Sequence, residues 1–300
     1  MTTAGRPDGQ TAGRPAANGL LFSAAAVWGV SFVVVKDALA SSSPLLFLSL
    51  RFGIAAVVLA PFVRFGTAVN RAELRGGLLL TALLATGFAT QAIGLQYTTP
   101  SRSAFIVGLS SVLAPVVALV VLRHRLHWLV AIAVALAGGG IYFLTGPDSG
   151  GLNRGDLWTL ITAVVFGGHI VAVAELSRRH DARRLVWWQI VGMTLAGGVA
   201  AVALEPLRFV WSARLGAALL FTGVFATAAA LLWQMRAQRH MSSARAALIL
   251  CFEPVFAALA SWIWLAEALS ATQVTGATLI LVGMVLAVVG EARAQSRLTG

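Results

Sequence analysis

The chain is predicted to fold as an all-α integral membrane protein, with ten transmembrane helices forming two inverted-topology repeats of five. Composition is the first observation behind this: 58% of residues are hydrophobic, 11% are charged, and the mean hydropathy is +0.85. No soluble fold covers so much apolar surface with so little polar material, so the bilayer must be the solvent. The second is ten apolar stretches, each close to the roughly 20 residues that cross about 30 Å of hydrocarbon. The third is an ordered self-similarity between the two halves of the chain.

The elements follow in order. Residues 1–18 are rich in Gly, Pro, Ala and Thr and carry no apolar stretch of their own; they are expected to form a disordered cytoplasmic tail, with no cleaved signal peptide. Spans 1 to 5 cover about 20–39, 44–63, 76–97, 101–122 and 126–145, making a first repeat at 19–147. Trp28 lies within span 1, Arg51 within span 2, Gln91 within span 3 and Pro115 within span 4, while Gly138-Gly139-Gly140 permits close helix approach in span 5. Spans 6 to 10 cover about 156–176, 185–204, 214–237, 244–266 and 271–290, making a second repeat at 148–291, followed by a short cytoplasmic tail at 292–300. His169 lies in span 6, and the small residues Gly192, Ala196 and Ala200 line span 7. Cys251, Glu253 and Pro254 lie in span 9.

Basic residues orient the array. With the N-terminus in the cytoplasm, Lys36, Arg102, Arg154, Arg208 and Arg214 fall outside, Arg51 falls inside a span, and the remaining 16 of the 22 Lys and Arg lie on the cytoplasmic side. Cytoplasmic loops retain Lys and Arg, so both termini are expected to be cytoplasmic, in a multi-pass cell-membrane protein. The abundance of arginine beside a single lysine reflects genome composition rather than mechanism.

Several function classes are excluded. The loops are too short for a soluble catalytic, nucleotide-binding or DNA-binding domain, and the net charge of +11 is scattered, so nucleic acid is not an expected partner. Cys251 is the only cysteine, which rules out disulfides and cysteine-rich metal sites; no metal or other cofactor is implied. A membrane-embedded enzyme would need aspartate pairs, serine/histidine pairs or metal clusters inside the spans, and those are missing. No glycine-rich phosphate loop with a lysine marks an ATP motor.

The repeat is legible in two offsets. A shift of 138 lays Val27-Trp28-Gly29 on Val165-Phe166-Gly167 and Arg51 on Gln189. A shift of 143 lays Ser101-Arg102-Ser103-Ala104 on Ala244-Arg245-Ala246-Ala247, His124-Arg125-Leu126 on Glu267-Ala268-Leu269, and Gly140 on Gly283. Five is an odd number of crossings, so the second half enters the membrane in the opposite sense. Such repeats place a solute site near the midplane, between halves that rock against one another.

At Trp28-Gly29-Val30-Ser31-Phe32, Leu50-Arg51-Phe52, Glu253-Pro254-Val255-Phe256 and Ala266-Glu267-Ala268-Leu269, running on to Gly276 and Gly283, the chain resembles the drug/metabolite transporter superfamily, EamA-type. The resemblance covers residues 19 to 291 and rests on the order and spacing of short motifs. It implies a ten-helix secondary carrier, commonly an exporter of amino acids, other metabolites or toxic compounds. The chain departs from the pattern at His124, where the first half often carries an acid, and at Gln189, opposite Arg51.

The polar groups inside the bilayer are the candidates for mechanism. Glu253 lies about eight residues past Arg245, roughly 12 Å along a helix. A charge at that depth costs about 2.5–3.5 kcal/mol, so the carboxyl is expected to face a cavity, find a partner or take up a proton. It is the proton-coupling candidate, against the plainer reading of a protonated carboxyl bonded between helices. Arg51, about 10 Å in from the outer face, would hold a solute carboxylate or phosphate, or pair with Glu253, or serve structurally on helix-end carbonyls. Trp28, Gln91 and His169 are expected to line the cavity, with helix packing as the alternative. Pro115 and Pro254 each deprive a carbonyl of its donor and are expected to kink their helices and contribute to gating. Glu267 reads as a cap or loop contact. The expected partners are a small-molecule solute, the lipid bilayer and protons, in a monomer or homodimer. A facilitative channel or exchanger without proton coupling is the alternative.

Overall fold

The computed structural model describes residues 13–62, 71–123, 127–146, 151–238, 240–241 and 243–299. Most of the expected tail and the triplet His124-Arg125-Leu126 lie outside the described residues. The elements are α1 (Gly13–Ala38), α2 (Pro44–Leu59), α3 (Arg71–Tyr97), α4 (Pro100–Gly108), α5 (Ser110–Leu122), α6 (Trp128–Leu144), α7 (Arg154–Ser177) and α8 (Ala182–Leu204). They continue with α9 (Ala213–Leu220), a π-helical stretch (Phe221–Ala229), α10 (Ala230–Gln238), α11 (Ser243–Leu250), α12 (Glu253–Leu265) and α13 (Ala271–Thr299). Among the described residues, nine helical segments are long and apolar enough to span a membrane, and α6 is a shorter apolar helix of 17 residues. Val57, Val120, Val199, Val202 and Leu204 stay more than 70% exposed around the outside, where the solvent is lipid.

Both ends of the chain are more helical than expected. α1 starts at Gly13, so residues 13–18 belong to the helix; Ala is the best helix former, and Ala17 is buried beside Leu21, Ala237 and Ala246. α13 likewise runs through residues expected in the second tail, to Thr299.

Spans 4 and 9 are each two helices in line. Span 4 breaks at Leu109, where the chain tightens to a Leu109 N to Ile106 O bond of 3.1 Å; span 9 breaks at Phe252, with a Phe252 N to Ile249 O bond of 3.1 Å. The two breaks are 143 residues apart, the offset read from the sequence. The proline expectations resolve differently in the two spans. Pro254 sits in the first turn of α12, where a missing N–H costs nothing, directly after the break. Pro115 lies inside α5, beyond the break, where its missing N–H takes the usual donor from the Ser111 carbonyl; at the break itself Ser111 Oγ donates to Gly108 O (2.8 Å). Both spans also end on residues in the left-handed conformation, Arg123 (φ 56°) and Ala266 (φ 52°), again 143 apart.

The repeat governs packing as well. Gly29 of α1 lies against the start of α12: a Cβ there would sit 2.6 Å from Glu253 O and 2.7 Å from Ala257 N. Gly167, its counterpart in α7, faces Ser110 O and Ala114 N at the start of α5, at 3.3 Å. In the α6–α13 pair, Gly140 meets Gly276 and Ile280 while Gly283 meets Ala133 and Ala137, a reciprocal contact about a pseudo-two-fold axis. Each lobe therefore mixes the halves: α1 and α2 pack with spans 8 and 9, and α7 and α8 pack with α3 and span 4.

The two ends of the molecule are not alike. At the end opposite the start of α1, which we call outer, α1 packs on α3 and α4, and α4 on α12, while α2 meets α3 at mid-depth through Phe52 and Phe88. At the inner end the equivalent pairs, α7 with α10 and α11, α8 with α10, and α5 with α11, have no more than marginal contact among the described residues. Apart from the α2–α8 contact, which runs along both helices through Ser49, Gly53, Thr194 and Gly197, the lobes are joined outside and parted inside.

Candidate functional site

Where the lobes meet at mid-depth, the helices supply Trp28, Arg51, Phe88, Phe166, His169, Gln189, Ala226 and Thr227. The π-helical stretch is the organising element: Thr227 Oγ1 donates to Thr222 O, five residues back, at 2.8 Å. π turns of this kind favour functional sites. Ala226 O accepts from Trp28 Nε1 at 2.8 Å and from Arg51 Nη2 at 3.5 Å, and Arg51 Nε donates to Thr227 Oγ1 at 3.0 Å. Two of the residues singled out from sequence thus converge on one carbonyl.

Arg51 is 4% exposed, and its guanidinium also lies over the rings of Phe52 (5.5 Å) and Phe88 (5.3 Å). Phe88, across the seam from Arg51, packs edge-on against Phe166 of its own lobe, centroids 5.3 Å apart. Phe166 is the repeat counterpart of Trp28, so an aromatic bridge runs Trp28–Arg51–Phe88–Phe166 across the seam. Arg51 is not paired with Glu253.

His169 Nε2 meets Gln189 Oε1 at 2.6 Å, and Gln189 Nε2 donates to Leu185 O. Gln189 therefore does in its lobe what Arg51 does in the other, tying span to span. Glu253 occupies the first position of α12, half-buried, and the positive end of that helix dipole favours a carboxylate there. Among the described residues no donor reaches its carboxyl. Gln91 is half-buried on α3, one turn beyond Phe88, and its amide likewise finds no partner among the described residues. Cys251 is buried at the break of span 9.

A groove of about 280 Å³ lies elsewhere, between α1, α9 and the end of α12. It is lined by Val30, Val33, Val34, Phe221 and Trp264, with the Asp37–Arg214 ion pair (2.9 Å) beside it. None of the mid-depth candidates borders it.

Several polar contacts were not singled out from the sequence. Arg102 pairs with Asp156, both buried; Asp156 also accepts from Thr98 Oγ1 (2.6 Å) and closes a capping box with Asn153. The Asn153-to-Asp156 spacing before an apolar run was a readable signal for that cap. Lys36 donates to the carbonyls of Leu95, Gln96 and Thr98. Its only sequence signal was being the sole lysine. The π stretch had no sequence signal. Glu267 makes the expected loop contact, its carboxylate accepting from Ser261 Oγ and its N–H donating to Ser261 O.

The architecture is that of a known group. The EamA-like transporter family model matches residues 16–146 and again 153–289. The chain belongs to the EamA-like transporter family. It is 34% identical over 262 residues to an uncharacterized transporter of Archaeoglobus fulgidus, covering 87% of this chain and 82% of that protein. It is 24% identical over 210 residues to an S-adenosylmethionine/S-adenosylhomocysteine transporter of Chlamydia muridarum, 66% of each chain. A solved crystal structure superposes with a TM-score of 0.64 at 18% identity, covering 93% of this chain and 99% of that one, which is a likeness of fold. The EamA-like assignment makes the chain a multi-pass membrane transporter for a small-molecule solute, and it points away from an enzyme.

Proposed function

We propose that this EamA-like protein is a secondary carrier that exports a small organic solute from the cell by alternating access, with Glu253 as the proton-coupling carboxyl and both termini cytoplasmic. The observation that carries this reading is the broken symmetry of the repeat. Two pseudo-equivalent lobes are joined at the outer end and parted at the inner end. Exchanging the roles of the two halves generates the opposite state from the same contacts.

The charges at the seam narrow the solute. The Arg51 guanidinium is occupied by Thr227, Ala226 O and two aromatic rings, so it organises the site rather than seizing a carboxylate. Among the described residues, nothing is bonded to the Glu253 carboxyl. An amine or other cationic group on an apolar or aromatic body suits that arrangement. Of the two solutes in the name of the Chlamydia relative, S-adenosylmethionine, a sulfonium amino acid carrying a purine, belongs to that class.

Proteoliposomes with an internal pH dye, challenged with amino acids, nucleosides, S-adenosylmethionine and lipophilic cations, test the reading. Wild type is expected to give saturable proton flux with a cationic or zwitterionic solute, and Glu253→Gln is expected to lose it. Normal coupling in the variant would remove Glu253 from the mechanism. Saturable solute movement without protons in wild type would favour exchange.

A further inference from the structure

The two ends of the carrier, equivalent under the internal repeat, differ at a lysine that spans the seam. At the outer end, Lys36 at the close of α1 donates to Leu95 O, to Gln96 O (3.2 Å) and to Thr98 O (3.0 Å). These acceptors lie at the C-terminus of α3, in the opposite lobe, where a helix leaves its last carbonyls without intrahelical donors. Three ammonium hydrogens meet three carbonyls at the negative end of the helix dipole. Glu267, in the loop after α12, adds an attractive charge.

At the inner end the counterpart of Lys36, 138 residues on, is Ala174, which is exposed. The counterpart of Leu95, 143 residues on, is Gln238, also exposed, and α7 has no more than marginal contact with α10 among the described residues. An alanine cannot bridge such a gap with a charge.

We propose that Lys36 is the latch of the outer gate, a positioning residue that biases the carrier toward its outer-sealed state, and that the repeat positions equivalent to Lys36 and its acceptors supply no such latch at the inner gate. The two access states are therefore unequal in free energy although the fold that makes them is symmetric. Lys36 is an element of the transport cycle that works by closing a door and touches no solute. This rests on the alternating-access reading.

The test uses full-length protein in lipid nanodiscs, with Cys251 replaced by alanine. A single reporter cysteine is placed either at Ala104, buried in the same outer cluster as Phe32, Val35 and Leu95, or at Ala174 at the inner mouth. A polar maleimide reports exposure. Lys36→Met is expected to speed labelling at position 104 by on the order of tenfold and to slow it at position 174, because losing a charged hydrogen-bond cluster shifts the balance by about that factor. Lys36→Arg, which restores a cationic donor, should return both rates toward wild type. Opposed movement of the reporters separates a shift of state from damage to the fold, which would raise both rates. Two unmoved rates, or two raised ones, overturn the latch. Saturable flux in wild-type proteoliposomes with unmoved reporters would remove the latch and leave the carrier, whereas failure of the carrier reading appears as absence of flux.

Discussion

Arg51 and Glu253 belong to the same lobe and differ in what their charges meet. Arg51 is enclosed by Thr227 Oγ1, Ala226 O, Phe52 and Phe88, so removing it leaves buried acceptors unpaired as well as a gap. Arg51→Met is therefore expected to lower stability by about 1–3 kcal/mol, read as a fall in Tm in detergent. Glu253→Gln removes no hydrogen bond that a described residue supplies, and it should leave Tm near wild type while changing the pH dependence of transport. The Arg102–Asp156 pair is the opposite of Glu253. It is buried on both sides and stitched into Thr98 and Asn153, so Asp156→Ala strands a guanidinium and is expected to cost about 3–5 kcal/mol. Chemical denaturation of the single variants and of the Arg102→Ala/Asp156→Ala double variant measures this. The double variant should be less damaged than the sum of the two, because neither charge is then left alone.

Close crossings at glycine hold the elements in register. Gly29 has backbone atoms of α12 at 2.6–2.7 Å from where a Cβ would stand, whereas at Gly167 the neighbours begin at 3.3 Å. Gly29→Ala should thus destabilise by about 1–3 kcal/mol, and Gly167→Ala by clearly less, in the same Tm assay. Much of this level was legible in the sequence. The helical spans followed from hydrophobic length, and the offsets of 138 and 143 forecast which crossings would be copies, Gly29 with Gly167 and Gly140 with Gly283. The breaks at Leu109 and Phe252 were hidden because local apolar runs look alike whether a helix is continuous or tightened by one 3₁₀ step. Pro115 and Pro254 pointed to the right spans, yet the breaks precede both. The π stretch was unreadable, since its Thr222-to-Thr227 bond and its Trp28 and Arg51 partners form only when spans 1, 2 and 8 meet. Trp28 and Arg51 were found at the seam; their shared carbonyl was not foreseeable from either.

At the scale of the whole molecule, two interleaved lobes meet at mid-depth and part toward the inner end. Because each lobe draws helices from both halves, the proposed alternating access would move α1, α2 and spans 8 and 9 against α7, α8, α3 and span 4, and the boundary between the sequence repeats would not be the hinge. The asymmetry of the packing gives this idea a definite geometry: the outer ends of α1 and α3 are together, and the inner ends of α7 and α10 are apart. Paired spin labels test it most directly, with one pair at Ala40 and Tyr97 across the outer seal and one at Ala174 and Gln238 across the inner mouth. Distances would be measured between acidic and alkaline pH and with S-adenosylmethionine present. The account predicts that conditions which shorten the inner distance lengthen the outer one, with no condition lengthening both. Fixed distances in both pairs while proteoliposomes still conduct solute would contradict alternating access and leave a pore through a rigid bundle.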